Sequence, residues 1–172
     1  MIKNTFRVEI NLEQQMCDNC IRNDKDYYEY LIQIRYPKRL IEKVNEDIEF
    51  ILKTYKDLIN NIKEKKNGID IYFKKNISYN KILNKLYRNF LIENKINSKL
   101  VGLDRLRSKK KYRTTCLFKI VDLIKNDKIY FKGKLYYIKS FYKNNLILIS
   151  LDNSNKKRIT YSINKNFIKK IV

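Results

Sequence analysis

A chain of 172 residues with 39 Lys and Arg against 18 Asp and Glu carries a formal net charge of +21, and 44% of its residues are hydrophobic. That apolar content is enough to bury a core, which excludes a disordered basic tail, and no apolar run approaches the roughly 18 residues of a membrane-spanning helix. His and Trp are absent and the three glycines stand far apart, which removes imidazole catalysis, Cys–His nucleophiles and Gly-rich phosphate loops.

Met1–Arg7 has no apolar core, so no signal peptide is expected, and three cysteines are too few for a disulfide framework, so a reducing compartment is expected. Thr5–Asn11 alternates apolar and polar residues and predicts a short strand. Cys17 and Cys20 follow in a polar stretch, and Tyr28–Tyr36 predicts a strand ending before Pro37. Leu40, Ile41, Val44, Ile48, Ile51, Leu52 and Tyr55 recur at helical spacing, so a helix is predicted from Lys38 to about Lys56. Asn67-Gly68 separates two strand-like runs and predicts a tight hairpin with positive φ at both central positions. A stripe of Ile82, Leu83, Leu86, Tyr87, Phe90 and Leu91 predicts a helix capped by Ser78 or Asn80 and ending near Asn94. Two long strands are then expected, over Lys99–Leu106 and Tyr112–Leu123. Short strands near Lys128–Phe131, Lys134–Tyr142, Leu146–Leu151 and Arg158–Ile163, joined by tight turns, predict a small SH3-like β-barrel.

The charge is unevenly placed. Residues 1–50 have a net charge of −2 and residues 51–172 a net charge of +23. Abundant Lys, Asn, Ile and Tyr without Ala is the pattern an A+T-rich genome imposes on any protein, but such bias would not confine the surplus to one part, and the charge attracts polyanions whatever its origin. Nucleic acid is the expected polyanion, because the sequence offers no basic amphipathic helix with aromatic anchors for a membrane surface. The candidate RNA-binding residues are Lys65, Lys66, Lys74, Lys75, Arg105, Arg107, Lys109, Lys110, Lys111, Arg113, Lys156, Lys157 and Arg158. They are expected in turns and strand ends, where several reach phosphates together. The connector from Arg107 to Lys111 is expected to be the tip of a protruding hairpin. Tyr72, Phe73, Tyr112, Tyr136, Tyr137 and Tyr142 interleave with basic residues; they either stack on unpaired bases or pack the core, and strand spacing favours packing.

Cys17 and Cys20 are spaced as half of a zinc knuckle, but zinc takes four ligands and the only other thiol is the distant Cys116, so no cofactor is expected. Asp70, Asp104, Asp122 and Asp127 are dispersed, without the paired spacing of a metal-dependent nuclease.

Met16-Cys17-Asp18-Asn19-Cys20-Ile21-Arg22 resembles the last Cys-x-x-Cys-hydrophobe-Arg segment of the zinc region in the nuclear export adaptor family of the large ribosomal subunit, which archaea and eukaryotes share. Ile62–Phe73 is similar to that family's Ile-Lys-Glu…Asp-Gly-Leu-Asp-Phe-Tyr-Phe motif, Ser98–Asp104 to its Ser-Lys-Lys-Leu…Asp segment, and Tyr112–Val121 to its following Tyr-rich strand. These segments run collinearly from about residue 16 to 125.

The resemblance implies a non-enzymatic factor bound to rRNA and ribosomal proteins on the intersubunit face of the large subunit, across the tRNA sites. It also implies a small α/β ribosomal-protein-like domain followed by an SH3-like barrel. The family's upstream cysteines and C-terminal continuation have no counterpart here, so a shortened member with a degenerate zinc-knuckle-like segment is expected. Such a member would be a dormancy or occlusion factor, or a reduced assembly and export adaptor; the alternative is a constitutive structural protein of the large subunit. The expected organisation is an α+β chain divided at 1–36, 37–125 and 126–172. It is expected to be a monomer on the ribosome with no membrane or small-molecule partner, cytoplasmic and also nuclear during subunit assembly.

Overall fold

In the computed structural model the described residues are 27–75, 77–104, 108–151 and 155–171, with positions 7, 10, 16, 17, 20 and 24. The strand expected over Thr5–Asn11 lies outside them except for Arg7 and Ile10, which are irregular.

The chain builds two five-stranded sheets. The first comprises β1 (Tyr30–Arg35), β2 (Ile59–Lys65), β3 (Gly68–Phe73), β4 (Ile92–Asp104) and β5 (Lys109–Ile120), in the order β2-β3-β1-β5-β4. The β1–β5 pair is parallel and the other pairs are antiparallel. Helices α1 (Ile41–Thr54) and α2 (Tyr79–Tyr87) pack on one face, where Val44, Ile48, Ile51, Ile82 and Leu86 meet Ile32, Ile34, Ile71, Phe73, Cys116 and Phe118. Alternation along each strand sends the other residues to the opposite, helix-free face. Between the helices, Asp47 is buried, 3.1 Å from Lys85 Nζ, and accepts a hydrogen bond from Asn89 Nδ2 at 2.7 Å.

β1 is the middle strand of this sheet, so the division expected at residue 36 runs through one sheet and one core. The Asn67-Gly68 turn forms one residue earlier than expected. Lys65 pairs with Gly68, the central positions are Lys66 and Asn67, and neither has positive φ. Glycine is needed at position 68 for another reason: a Cβ there would lie 2.1 Å from the Ile34 carbonyl oxygen. The second helix stops at Tyr87 rather than near Asn94. Phe90 and Leu91 are buried in the following turn, and Ile92 starts β4 by pairing with Ile120, so tertiary strand pairing overrides the helical stripe. Ser78 holds the N-cap position without a side-chain capping bond.

The second sheet comprises β6 (Lys128–Phe131), β7 (Lys134–Tyr142), β8 (Asn145–Ser150), β9 (Lys156–Thr160) and β10 (Ile168–Lys170), in the order β10-β6-β7-β8-β9. A short helix α3 (Tyr161–Asn164) and a 3₁₀ turn (Lys165–Phe167) lead into β10. The Lys132-Gly133 turn has φ of +48° and +78°, the mirror-image geometry that suits the twist of a two-residue hairpin. The sheet is compatible with an SH3-like fold, but the expected barrel is not closed: no ladder joins β9 to β10 among the described residues.

The connector between the sheets is packed. Leu91 and Leu123 belong to the second core with Ile129, Phe131, Ile138, Leu146 and Leu148, and burying each contributes roughly 2 kcal/mol. Val121 donates to the Leu91 carbonyl at 2.9 Å, and Asn126, at φ +69°, to that of Ile138 at 2.8 Å. Arg39 fastens the connector to the start of α1. Its Nε donates to Asp122 Oδ1, and its Nη2 donates to the Asp122 carbonyl at 3.1 Å and to Asp127 Oδ2 at 2.7 Å.

Candidate nucleic-acid interface

The helix-free face of the first sheet is built by register. Ladder partners share a face, so Lys63, Lys65, Tyr72, Leu31, Gln33, Arg35, Thr115, Leu117, Arg113, Lys111, Lys95 and Lys99 lie on the same side. Acids on it include Asp70, Glu93 and, by register with Lys109, Asp104; Asp70 is buried against Arg35, whose Nη2 is 2.6 Å away, and Glu93 faces Lys119 at 3.9 Å.

Four side chains form a row across this face. Lys63 Nζ lies 5.2 Å from the Tyr72 ring centroid. Tyr72 meets Tyr28 edge to face at 5.1 Å, and Arg113 Cζ sits 4.6 Å from the Tyr28 centroid while its Nε donates to the Tyr28 carbonyl at 3.2 Å. Stacking fixes the cations without neutralising them, so their outward N–H groups remain available to phosphates.

β4 and β5 run on past the sheet. Tyr30 of β1 pairs with Thr114, so Lys99–Asp104 and Lys109–Arg113 have no third strand and form an arm roughly 17 Å long. The expected protruding hairpin is therefore present, but Lys109, Lys110 and Lys111 lie in its strand, not at its tip. Register places Lys109, Lys111 and Arg113 on the helix-free side, and Lys110 on the other with Leu100, Leu103 and Tyr112, all half-exposed or more. Arg105 and Arg107 lie outside the described residues.

The remaining clusters do not converge. Lys74 and Lys75 follow β3 at the end from which the arm projects, whereas Lys65 and Lys66 lie at its other end, roughly 20 Å away. Lys156, Lys157 and Arg158 are in β9, an edge strand of the second sheet, rather than in a turn. There Lys157 Nζ lies 5.2 Å from the Phe131 ring centroid, and Arg158 and Lys143 flank Tyr142 at 5.8 and 5.9 Å. Among the aromatics singled out in the sequence, Phe73 and Tyr136 are core residues, Tyr72 and Tyr137 are half-buried, and Tyr112 and Tyr142 are exposed. Sequence reasoning passed over Lys63, Lys95, Lys99 and Tyr28. Their signal was period two along β2 and β4, which becomes visible only once the register is known.

Other chemistry is sparse. Cys17 and Cys20 are exposed with their sulfurs 3.2 Å apart, and the Cys20 amide donates to Cys17 Sγ at 3.4 Å. Cys116 is fully buried in the first core, and burial pushes its thiol up to about 11. No group of three or more His, Cys, Asp or Glu is placed to hold a metal among the described residues. Asp122 and Asp127, dispersed in sequence, converge on the Arg39 guanidinium, as an ion pair. Partial burial raises the Asp122 carboxyl, but hydrogen bonds from Arg39 and Lys170, with their charges, outweigh it and hold the group below its ordinary value. No described helix is long and apolar enough to cross a membrane.

No curated protein matches this chain. Residues 27–120, the span from the Tyr28 row through the first sheet and its arm, match the family described as NMD3, second domain. That match covers more than half of the sequence, and the chain belongs to the NMD3 family.

Proposed function

We propose that this protein is a large-subunit assembly and export factor that binds rRNA on the intersubunit face, across the tRNA sites. The NMD3 family is linked to large-subunit export and is not a known enzyme family, which supports a ribosomal partner and a binding role. The observation that carries the reading is the helix-free face, where Lys63, Tyr72, Tyr28 and Arg113 form an aromatic and cationic row continuous with a basic arm. Cations at strand spacing match repeated phosphates, the arm reaches into a groove, and the tyrosines offer edges to unpaired bases. Occlusion of the tRNA sites follows as a consequence of occupying that surface, and the factor travels with the subunit from nucleus to cytoplasm.

The test is sedimentation of extracts from growing and from dormant cells through a sucrose gradient. Enrichment on free large subunits and their precursors is expected in growing cells. Enrichment on idle monosomes of dormant cells would replace assembly by dormancy. Stoichiometric presence in polysomes would overturn the reading in favour of a constitutive ribosomal protein.

A further inference from the structure

A cleft of about 780 Å³ opens between the two sheets, where the end of the helix-free face meets α3 and β10. Arg35, Tyr36 and Lys119 line it from the first sheet, and Tyr161, Lys165 and Lys170 from the second. Its volume is within the range of about 300–1,000 Å³ that suits a small ligand.

The charges there do not cancel. Glu93 is shared by Lys165 at 3.5 Å and Lys119 at 3.9 Å, and Asp122 by Arg39 and by Lys170 at 3.3 Å. Asp127 also serves Arg39, at 2.7 Å, and Lys170, at 3.8 Å, so three carboxylates serve four cations and the surplus is positive. The Tyr36 and Tyr161 hydroxyls have no hydrogen-bond partner among the described residues; burial, with Glu64 beside Tyr36 and Glu93 beside Tyr161, keeps both phenols protonated as donors. The cleft therefore combines apolar walls, two aromatic rings with free donors and a cationic rim that its carboxylates neutralise only in part. That is the chemistry of a nucleotide: a flat base to stack, base edges to hydrogen-bond, and a phosphate to neutralise.

We infer that the interlobe cleft holds a single unpaired nucleotide, the base against Tyr36 and Tyr161 and the phosphate at the lysine rim. This inference rests on the rRNA-binding reading for its source of ligand: an unpaired residue of the RNA that the sheet face grips. A free mononucleotide offers the same chemistry.

The experiment uses the full chain and three probes: a short single-stranded oligoribonucleotide carrying 5-iodouridine, the same sequence as a duplex, and uridine monophosphate alone. Photo-crosslinking with peptide mapping is expected to mark Tyr36 or Tyr161. Tyr161→Leu is expected to weaken the single strand roughly tenfold, the scale of one stacked base, while duplex binding changes little. Lys165→Gln, a substitution at an exposed position outside both cores, is expected to act in the same direction and covers the case in which Tyr161→Leu does not fold. Crosslinks confined to the arm and sheet face, with both variants binding single strands normally, would overturn the cleft and leave the proposed function standing. Mononucleotide binding that Lys165→Gln abolishes, without binding of either RNA, would keep the cleft and overturn the proposed function. No binding of any probe would overturn both.

Discussion

Lys95, Lys99 and Lys111 are exposed, lie on the helix-free face by register, and take part in no ion pair among the described residues, so replacing all three with Gln removes charge without disturbing packing. If each contacts one phosphate, the slope of log K against log salt flattens by about 2–2.7, at roughly 0.7–0.9 per contact. Between 50 and 200 mM salt, the wild-type chain should then lose about 30-fold more affinity for rRNA than the variant does. The control is Lys43→Gln, Lys53→Gln and Lys81→Gln together, which changes the net charge equally but at exposed positions of the two helices on the other side of the sheet. Fluorescence anisotropy with an rRNA fragment across a salt series measures both slopes. Equal flattening by the two triples would show that binding depends on total charge alone, and would refute the assignment of this face.

Three further perturbations probe the scaffold and the cysteine pair. Gly68→Ala places a Cβ against the Ile34 carbonyl and should cost about 2 kcal/mol or more in urea unfolding, whereas Gly102→Ala, with nothing within 4 Å, should stay within about 0.5 kcal/mol. Arg39→Ala removes the clasp on Asp122 and Asp127 and should cost about 1 kcal/mol, with faster proteolysis at 121–127. Because the folded Asp122 carboxyl is held below its ordinary value, its stabilising contribution is complete above about pH 4 and is lost as the pH falls through the folded value; Arg39→Ala should blunt that acid sensitivity. Elemental analysis of the purified chain should find no stoichiometric zinc, and one tightly held ion per chain would show that Cys17 and Cys20 have found further ligands.

What was legible in the sequence follows from what is locally encoded. The stripe Leu40, Val44, Ile48, Ile51 gave α1 because helical periodicity is a property of one segment. Lys132-Gly133 marked its hairpin because the turn geometry is demanded by two adjacent residues. The end of α2 was misplaced because Phe90 and Leu91 continue the helical spacing, and only the Ile92–Ile120 pairing turns the chain into a strand. β10 escaped notice because Ile168–Lys170 is too short to show alternation and exists by pairing with β6. The Arg39 clasp spans more than eighty residues and leaves no local pattern at all.

The same distinction separates the two kinds of basic residue. Runs such as Lys109-Lys110-Lys111 are conspicuous in sequence, yet a strand sends neighbours to opposite faces, so a run divides its charge between two surfaces. Lysines at period two, such as Lys63 with Lys65, deliver every charge to one surface, and Lys95 and Lys99 do so four residues apart. Partner strands then add to them: Lys99 lies beside Arg113 and Lys63 beside Asp70, whose own charge is taken by Arg35. A surface of one sign thus arises from spaced residues on several strands more effectively than from any single cluster. The connector lobe extends it, because the Arg39 clasp and the buried Leu91 and Leu123 hold the second sheet, with Lys165 and Lys170, against the end of that same face. Charge placement in this chain is therefore a product of register and of the packed connector, and loosening either should weaken polyanion binding even with every lysine intact.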